Sequence, residues 1–220
     1  MEIERVSFLS DTYRLEGRLA FTQGHTSASG IVICHPHPQY GGSMDNNVVH
    51  ALFEGFSSRG YVALAFNFRG VGMSEGAYGD GTGEHTDVIA ALNFLERLPQ
   101  VKGQGLGLSG YSFGAWVGLK ACVEDVRVKC VGMVSPPIGM LAFDFLEGYE
   151  TPVIIVSGDE DQFCMSKDVE QLLQLPSGPK EWKVITGADH FYFTKAREAS
   201  EYICQRFVHY LPPGNIRIQT

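Results

Sequence analysis

The sequence predicts a doubly wound, mostly parallel α/β sheet that opens with an antiparallel hairpin. Two observations carry this. Short apolar, β-branched runs without polar alternation recur from residue 30 onward, as in strands buried on both faces. Between them lie helix-length segments whose apolar residues repeat every three to four positions. Regular strand–helix alternation gives a parallel sheet covered by helices.

In chain order, Ile3, Val6 and Phe8, a turn signal at Ser10-Asp11-Thr12, and then Leu15, Leu19 and Phe21 alternate as a hairpin does. The buried strands are expected at Ile31–Cys34, Tyr61–Phe66, Leu106–Leu108, Val128–Val134, Val153–Val156 and Trp182–Ile185. Val48, Val49, Leu52, Phe53 and Phe56 make the first helical stripe, with Asp45 and Asn46 as expected caps. Further helices are expected over Glu84–Leu98, which stops at Pro99, and over Phe113–Val123, Lys167–Leu175 and Thr194–Leu211. No repeat, low-complexity tract or linker interrupts the pattern, so residues 1–220 are expected to form a single domain.

Composition narrows the function classes. The chain of 220 residues carries 17 basic and 25 acidic residues, a net charge of −8. That balance argues against nucleic-acid and anionic-membrane partners, which require a basic surface. No apolar run approaches the length of a membrane span. Glu2, Glu4, Arg5 and Asp11 stand where a signal peptide has its apolar core. The 5 cysteines, Cys34, Cys122, Cys130, Cys164 and Cys204, show no Cys-x-x-Cys spacing, so reduced thiols in a cytoplasm are expected.

In an open sheet of this kind, chemistry gathers at the carboxyl ends of the strands. There the motif Gly-x-Ser-x-Gly occurs twice, at Gly72–Gly76 and at Gly110–Gly114. A nucleophile elbow must be entered from a strand and left into a helix. Ser112 meets both conditions. Ser74 is followed by the loop Gly76-Ala77-Tyr78-Gly79-Asp80-Gly81 and is expected to be a turn serine. Gly105-Leu106-Gly107-Leu108-Ser109-Gly110 also matches a dinucleotide-binding pattern. Polar residues precede it, and the acids Glu124 and Asp125 come before the next strand instead of ending it. The glycines are better explained as spacers around the strand that delivers Ser112.

A serine hydroxyl needs a base to take its proton, and the base needs an orienting carboxylate. Of 7 histidines, only His35, His37 and His190 follow a strand closely enough to face the elbow. His190 also lies downstream of an acidic candidate. Asp159, Glu160 and Asp161 offer three carboxylates; Asp161, farthest along the loop, is expected to turn back toward His190, with Asp159 supporting the turn.

The order Ser112, Asp161, His190 resembles the α/β-hydrolase fold family, over nearly the whole chain. Asn67-Phe68-Arg69-Gly70-Val71-Gly72-Met73-Ser74-Glu75-Gly76 looks like that family's loop after its fourth strand. His35-Pro36-His37-Pro38, with Gly41-Gly42 and Asn46-Asn47, looks like the signature of small bacterial members of the cap-less dienelactone-hydrolase-like branch. Dienelactone hydrolases proper use cysteine; this elbow carries serine. The resemblance implies an oxyanion hole from the N–H of Phe113 and of His37. Pro36 and Pro38 have no N–H to give, and His37 lies between them.

The resulting expectation is a serine hydrolase acting on small carboxylic esters or thioesters, without a cofactor. Esterase, thioesterase, lactonase and peptidase chemistries share such a site. A non-catalytic binding module on the same fold and, less favoured, a dinucleotide-binding oxidoreductase are the alternatives. A metal cluster of His35, His37, Asp45 and His50 lacks the second acid–histidine pair that metallo-hydrolases use. His35 is expected to pack under its loop, and Cys34 and Cys164 to be small buried residues. His25, His50, His85 and His209 are expected at the surface or in packing. The short segment before Val153 leaves no room for a cap, so the site should be open. Pro136, Pro137, Ile138, Met140, Phe143, Phe163, Phe191 and Tyr192 are candidates for its apolar lining or for core. A homodimer is a common outcome for enzymes of this kind.

Overall fold

The computed structural model describes residues 1–22 and 27–214, so the expectation for His25 falls outside the described residues. The hairpin consists of β1 (Glu2–Ser10) and β2 (Tyr13–Phe21), paired antiparallel from Ser10↔Tyr13 outward. Its two-residue turn holds Asp11 at φ +50°, the left-handed geometry that aspartate tolerates and tight hairpins need.

The remaining strands are β3 (Gly30–Cys34), β4 (Val62–Phe66), β5 (Leu106–Tyr111), β6 (Val128–Val134), β7 (Val153–Gly158) and β8 (Lys180–Ile185). They form one eight-stranded sheet in the order β1-β2-β4-β3-β5-β6-β7-β8, parallel from β4 to β8. β2 joins β4 antiparallel, which ties the hairpin to the sheet. Every residue of β3, β4, β5 and β7 is buried, as the unbroken apolar runs require.

Two expectations about strands are corrected. β5 continues through Ser109, Gly110 and Tyr111 because these residues keep pairing with Gly132, Met133 and Val134. β8 is not buried on both faces. As the edge strand it pairs on one side only, and of its six residues Ile185 alone is buried.

The helices are α1 (Asn47–Ser58), α2 (Thr82–Arg97), α3 (Phe113–Cys122), α4 (Ser166–Leu172) and α5 (Ala196–Tyr210). α1 and α5 cover one face through Val49, Leu52, Phe56, Ile203 and Phe207. α2, α3 and α4 cover the other through Val88, Leu92, Val117, Leu119 and Val169. α2 begins earlier than expected, because the Glu84 carboxylate accepts the N–H groups of Gly79 and Gly81 and closes its first turn. Asn46 occupies the cap position of α1 but makes no capping bond. Its side-chain Oδ1 accepts from Ser43 N–H, and Asp45 pairs instead with Arg18.

Between β6 and β7, residues 135–152 contain only the short 3-10 turn Asp144–Leu146, so among the described residues no cap covers the carboxyl edge of the sheet. Among the described residues no helix is long and apolar enough to cross a membrane.

Candidate active site

The turn from β5 into α3 is sharp because its glycines are packed to contact. A Cβ on Gly110 would stand 2.4 Å from the carbonyl oxygen of Gly114, and one on Gly114 would stand 2.4 Å from those of both Cys34 and His35. The spacing Gly-x-Ser-x-Gly is therefore steric: the two glycines let α3 start directly on the ends of β5 and β3. Ser112 between them is held at φ 54°, ψ −122°, a region costly for any side-chain-bearing residue. Its N–H donates to Val134 O at 2.9 Å, which fixes the turn and leaves the hydroxyl at the edge of the sheet.

The loops after β7 and β8 meet this edge. A Cβ on Gly158 would fall 2.0 Å from Ala188 O, and Glu160 N–H donates to the same carbonyl, so the two loops are locked together. His190 Nε2 then lies 3.0 Å from Ser112 Oγ, and its Nδ1 lies 2.9 and 3.0 Å from the two carboxylate oxygens of Asp161. A carboxylate accepts only, so Nδ1 carries the proton and Nε2 is left to accept from the serine hydroxyl. The Tyr111 hydroxyl donates to the His190 carbonyl and holds the backbone of that loop.

Asp161 has a fully buried side chain, and burial alone pushes its pKa up. The hydrogen bond and charge of His190, a hydrogen bond from Ser135 and the N–H of Phe163 outweigh burial and hold it below the ordinary carboxylate value. Cys164 N–H adds a further donor at 3.1 Å. Asp159 faces elsewhere: its carboxylate accepts Gly187 N–H at 2.7 Å and closes the turn between the two loops.

The ends of β3 and α3 carry the two expected N–H donors. Phe113 opens α3, where the first N–H groups have no intrahelical acceptor. His37 sits beside it, the two rings 4.9 Å apart. Its Nδ1 accepts from Gln39 N–H at 3.2 Å, and Nε2, bearing the proton, donates to the Tyr78 hydroxyl at 3.1 Å. Burial lowers the His37 pKa against the opposing pull of Glu84 and Asp80, so the ring is neutral.

The remaining candidates are engaged elsewhere. His35 is buried, donates from Nδ1 to Pro36 O at 2.6 Å and accepts Phe68 N–H on Nε2 at 3.0 Å. Ser74 Oγ donates to Asn67 O at 2.7 Å and accepts Glu16 N–H at 3.1 Å, so the decoy serine ties the loop after β4 to the hairpin. His50 pairs with Glu54. Cys34 and Cys164 are buried, and burial pushes both thiols far up. Gly107 and Gly110 lie inside β5, against Phe207 and α3, and form no loop for a phosphate. Of the proposed lining, Phe143 and Tyr192 are core residues, whereas Met140, Phe163 and Phe191 are exposed. A groove of about 520 Å³ edged by His85, Lys120 and Phe145 lies at the amino end of β6, and Ser112, Asp161 and His190 take no part in its lining.

One part was not anticipated. Ser135, directly after β6, and Tyr192, two residues past His190, are buried and 2.8 Å apart through their hydroxyls. Both have left-handed backbone, at φ 45° and 52°. With Ser135 bonded to Asp161, a line of hydrogen bonds runs Tyr192–Ser135–Asp161–His190–Ser112. Its only sequence signal is that Ser135 follows a buried strand without a spacer.

The family described as alpha/beta hydrolase domain matches residues 31–208. The chain belongs to the α/β-hydrolase family. This α/β-hydrolase is 34% identical over 198 residues to an uncharacterized protein of Rickettsia prowazekii, covering 86% of this chain and 82% of that one. Its fold is similar to the solved structure of an alpha-beta serine hydrolase homologue from Coxiella burnetii (TM-score 0.83, 33% identity, 92% and 96% of the two chains). A serine hydrolase without a lid from Xanthomonas campestris has the same fold (TM-score 0.84, 24% identity, 96% of each chain).

Proposed function

We propose that this α/β-hydrolase is a serine hydrolase that cleaves small carboxylic esters or thioesters through an acyl-enzyme. The observation that carries the reading is the hydrogen-bond path Ser112 Oγ–His190 Nε2 at 3.0 Å and His190 Nδ1–Asp161 at 2.9 Å, on a strained elbow at the carboxyl edge of the sheet. The similarity to a serine hydrolase homologue supports it.

Ser112 Oγ attacks the acyl carbon while its proton passes to His190 Nε2. The carbonyl oxygen takes up the negative charge and is stabilised by the N–H groups of His37 and Phe113, each such donor contributing about 3–4 kcal/mol. Asp161 holds the imidazole tautomer and stabilises the imidazolium. When the tetrahedral intermediate collapses, the bond to the alkoxy oxygen or thiol sulfur breaks, and that atom takes the proton from Nε2. Water then gives a proton to Nε2 and attacks the acyl carbon. The second collapse returns the proton to Ser112 and frees the acid.

The test is hydrolysis of p-nitrophenyl acetate and butyrate together with labelling by a fluorophosphonate probe. Wild type is expected to hydrolyse and to label; Ser112→Ala is expected to do neither. Wild-type rates in Ser112→Ala, or no labelling of the wild type, would overturn the reading.

A further inference from the structure

A tetrahedral carbon bound to Ser112 Oγ has three other substituents, and two directions are assigned by chemistry. The oxyanion points to the N–H groups of His37 and Phe113. The leaving atom must lie within reach of His190 Nε2, because that nitrogen returns the proton to it. The surface beside His190 therefore meets the leaving group and not the acyl chain.

That surface is aromatic. The Phe163 ring lies 4.8 Å from the His190 ring, edge to face, and the Phe191 ring lies 6.1 Å from it on the loop that carries His190. Phe193 stacks on Phe191 at 5.8 Å. These rings are 40%, 55% and 81% exposed, which is unusual for phenylalanine on a soluble surface. The backbones of Phe163 and Phe191 are held by hydrogen bonds. Phe163 N–H donates to Asp161, Phe191 N–H donates to Asp189, and Asn47 Nδ2 donates to Phe191 O. The rings form a standing shelf. Acid borders it: Glu160 is exposed on the Phe163 loop, and Asp189, next to His190, accepts the Phe191 N–H at 3.0 Å, while Lys195 beyond Phe193 is paired with Glu198 at 3.3 Å.

We propose that Phe163 and Phe191 determine leaving-group specificity, selecting esters of aromatic, uncharged alcohols and rejecting anionic leaving groups. The inference rests on the serine-hydrolase reading and narrows its substrate class. Collapse of the intermediate breaks the carbon–alkoxy bond and moves the Nε2 proton to the alkoxy oxygen, so an aromatic alcohol departs across the shelf.

The test uses the full chain with acetate esters whose alcohols are of similar acidity: ethyl, benzyl and 4-carboxybenzyl acetate. Benzyl acetate is expected to exceed ethyl acetate in kcat/KM by roughly ten-fold, and the carboxylated ester is expected to lose most of that advantage. Phe163→Ala and Phe191→Ala should each lower the benzyl-to-ethyl ratio toward one. Both rings are exposed, and unchanged thermal unfolding verifies that the variants fold. A flat ratio in the wild type, or an unchanged ratio in both variants, overturns the proposal. So does a loss confined to the acyl series ethyl acetate, butyrate and benzoate. Fluorophosphonate labelling of wild-type Ser112 separates the two readings: labelling with a flat ratio defeats the shelf alone, and no labelling defeats the serine-hydrolase reading.

Discussion

The hydroxyls of Ser135 and Tyr192 lie 2.8 Å apart behind Asp161, on two residues whose backbones both adopt left-handed geometry. Strain of that kind costs about 1–3 kcal/mol per residue and persists only where the surroundings hold it. Here each residue's hydrogen bond is part of what holds the other. Ser135→Ala removes a donor from Asp161 and leaves the Tyr192 hydroxyl buried without a partner. We expect a loss of about 1–3 kcal/mol in denaturant unfolding and a fall in kcat. Tyr192→Phe should cost less, and the double variant less than the sum of the two. Additive losses would show that the pair is not coupled.

The elbow glycines make a steric prediction. Gly114→Ala would drive a Cβ into the carbonyls of Cys34 and His35, neither of which is a yielding side-chain end. The variant should be destabilised by at least about 1–3 kcal/mol and, even where it remains folded, fall below the wild type in p-nitrophenyl ester hydrolysis. Near-UV circular dichroism with the p-nitrophenyl ester assay tests both parts.

His35 sets a pH dependence. Burial lowers its pKa from 6.5 to about 4 in the folded chain, against a smaller opposing effect of the Pro36 carbonyl. Between those values the unfolded chain binds the proton and the folded chain does not, so stability rises with pH. The contribution is complete above about pH 6.5 and is lost as pH falls toward about 4, up to about 3 kcal/mol. Urea unfolding at intervals across that window should show the slope in the wild type and a reduced slope in His35→Asn.

Ser74 separates the two serine motifs. Ser74→Ala leaves Glu16 N–H and Asn67 O without this partner, and a loss of about 1–3 kcal/mol in unfolding free energy is expected. Fluorophosphonate labelling of Ser74→Ala should match the wild type. Loss of labelling in a folded Ser74→Ala protein would count against Ser112 as the nucleophile.

Local patterns carried much of the architecture. The unbroken runs at Ile31–Cys34 and Val153–Val156 could only be strands covered on both faces, and the hairpin was written in its alternation. What local pattern could not reveal depends on neighbours far along the chain. Ser109 and Gly110 have poor strand character, and pairing on both sides, with Ile33 and Cys34 of β3 and with Gly132 and Met133 of β6, keeps them extended. Trp182–Ile185 reads as interior, yet strand order leaves it at the edge. Around the site, Ser112 stood out because a strand precedes it and a helix follows. His190 and Asp161 were reachable by their place after strands. The Ser135–Tyr192 contact was not, because it depends on how the β6 and β8 loops close over each other.

The bare carboxyl edge left by residues 135–152 has a kinetic consequence. With no lid among the described residues to swing shut, an acyl group on Ser112 would face solvent throughout its lifetime. The partition of that intermediate between water and an added alcohol would then track their concentrations, with no gating step to set the pace.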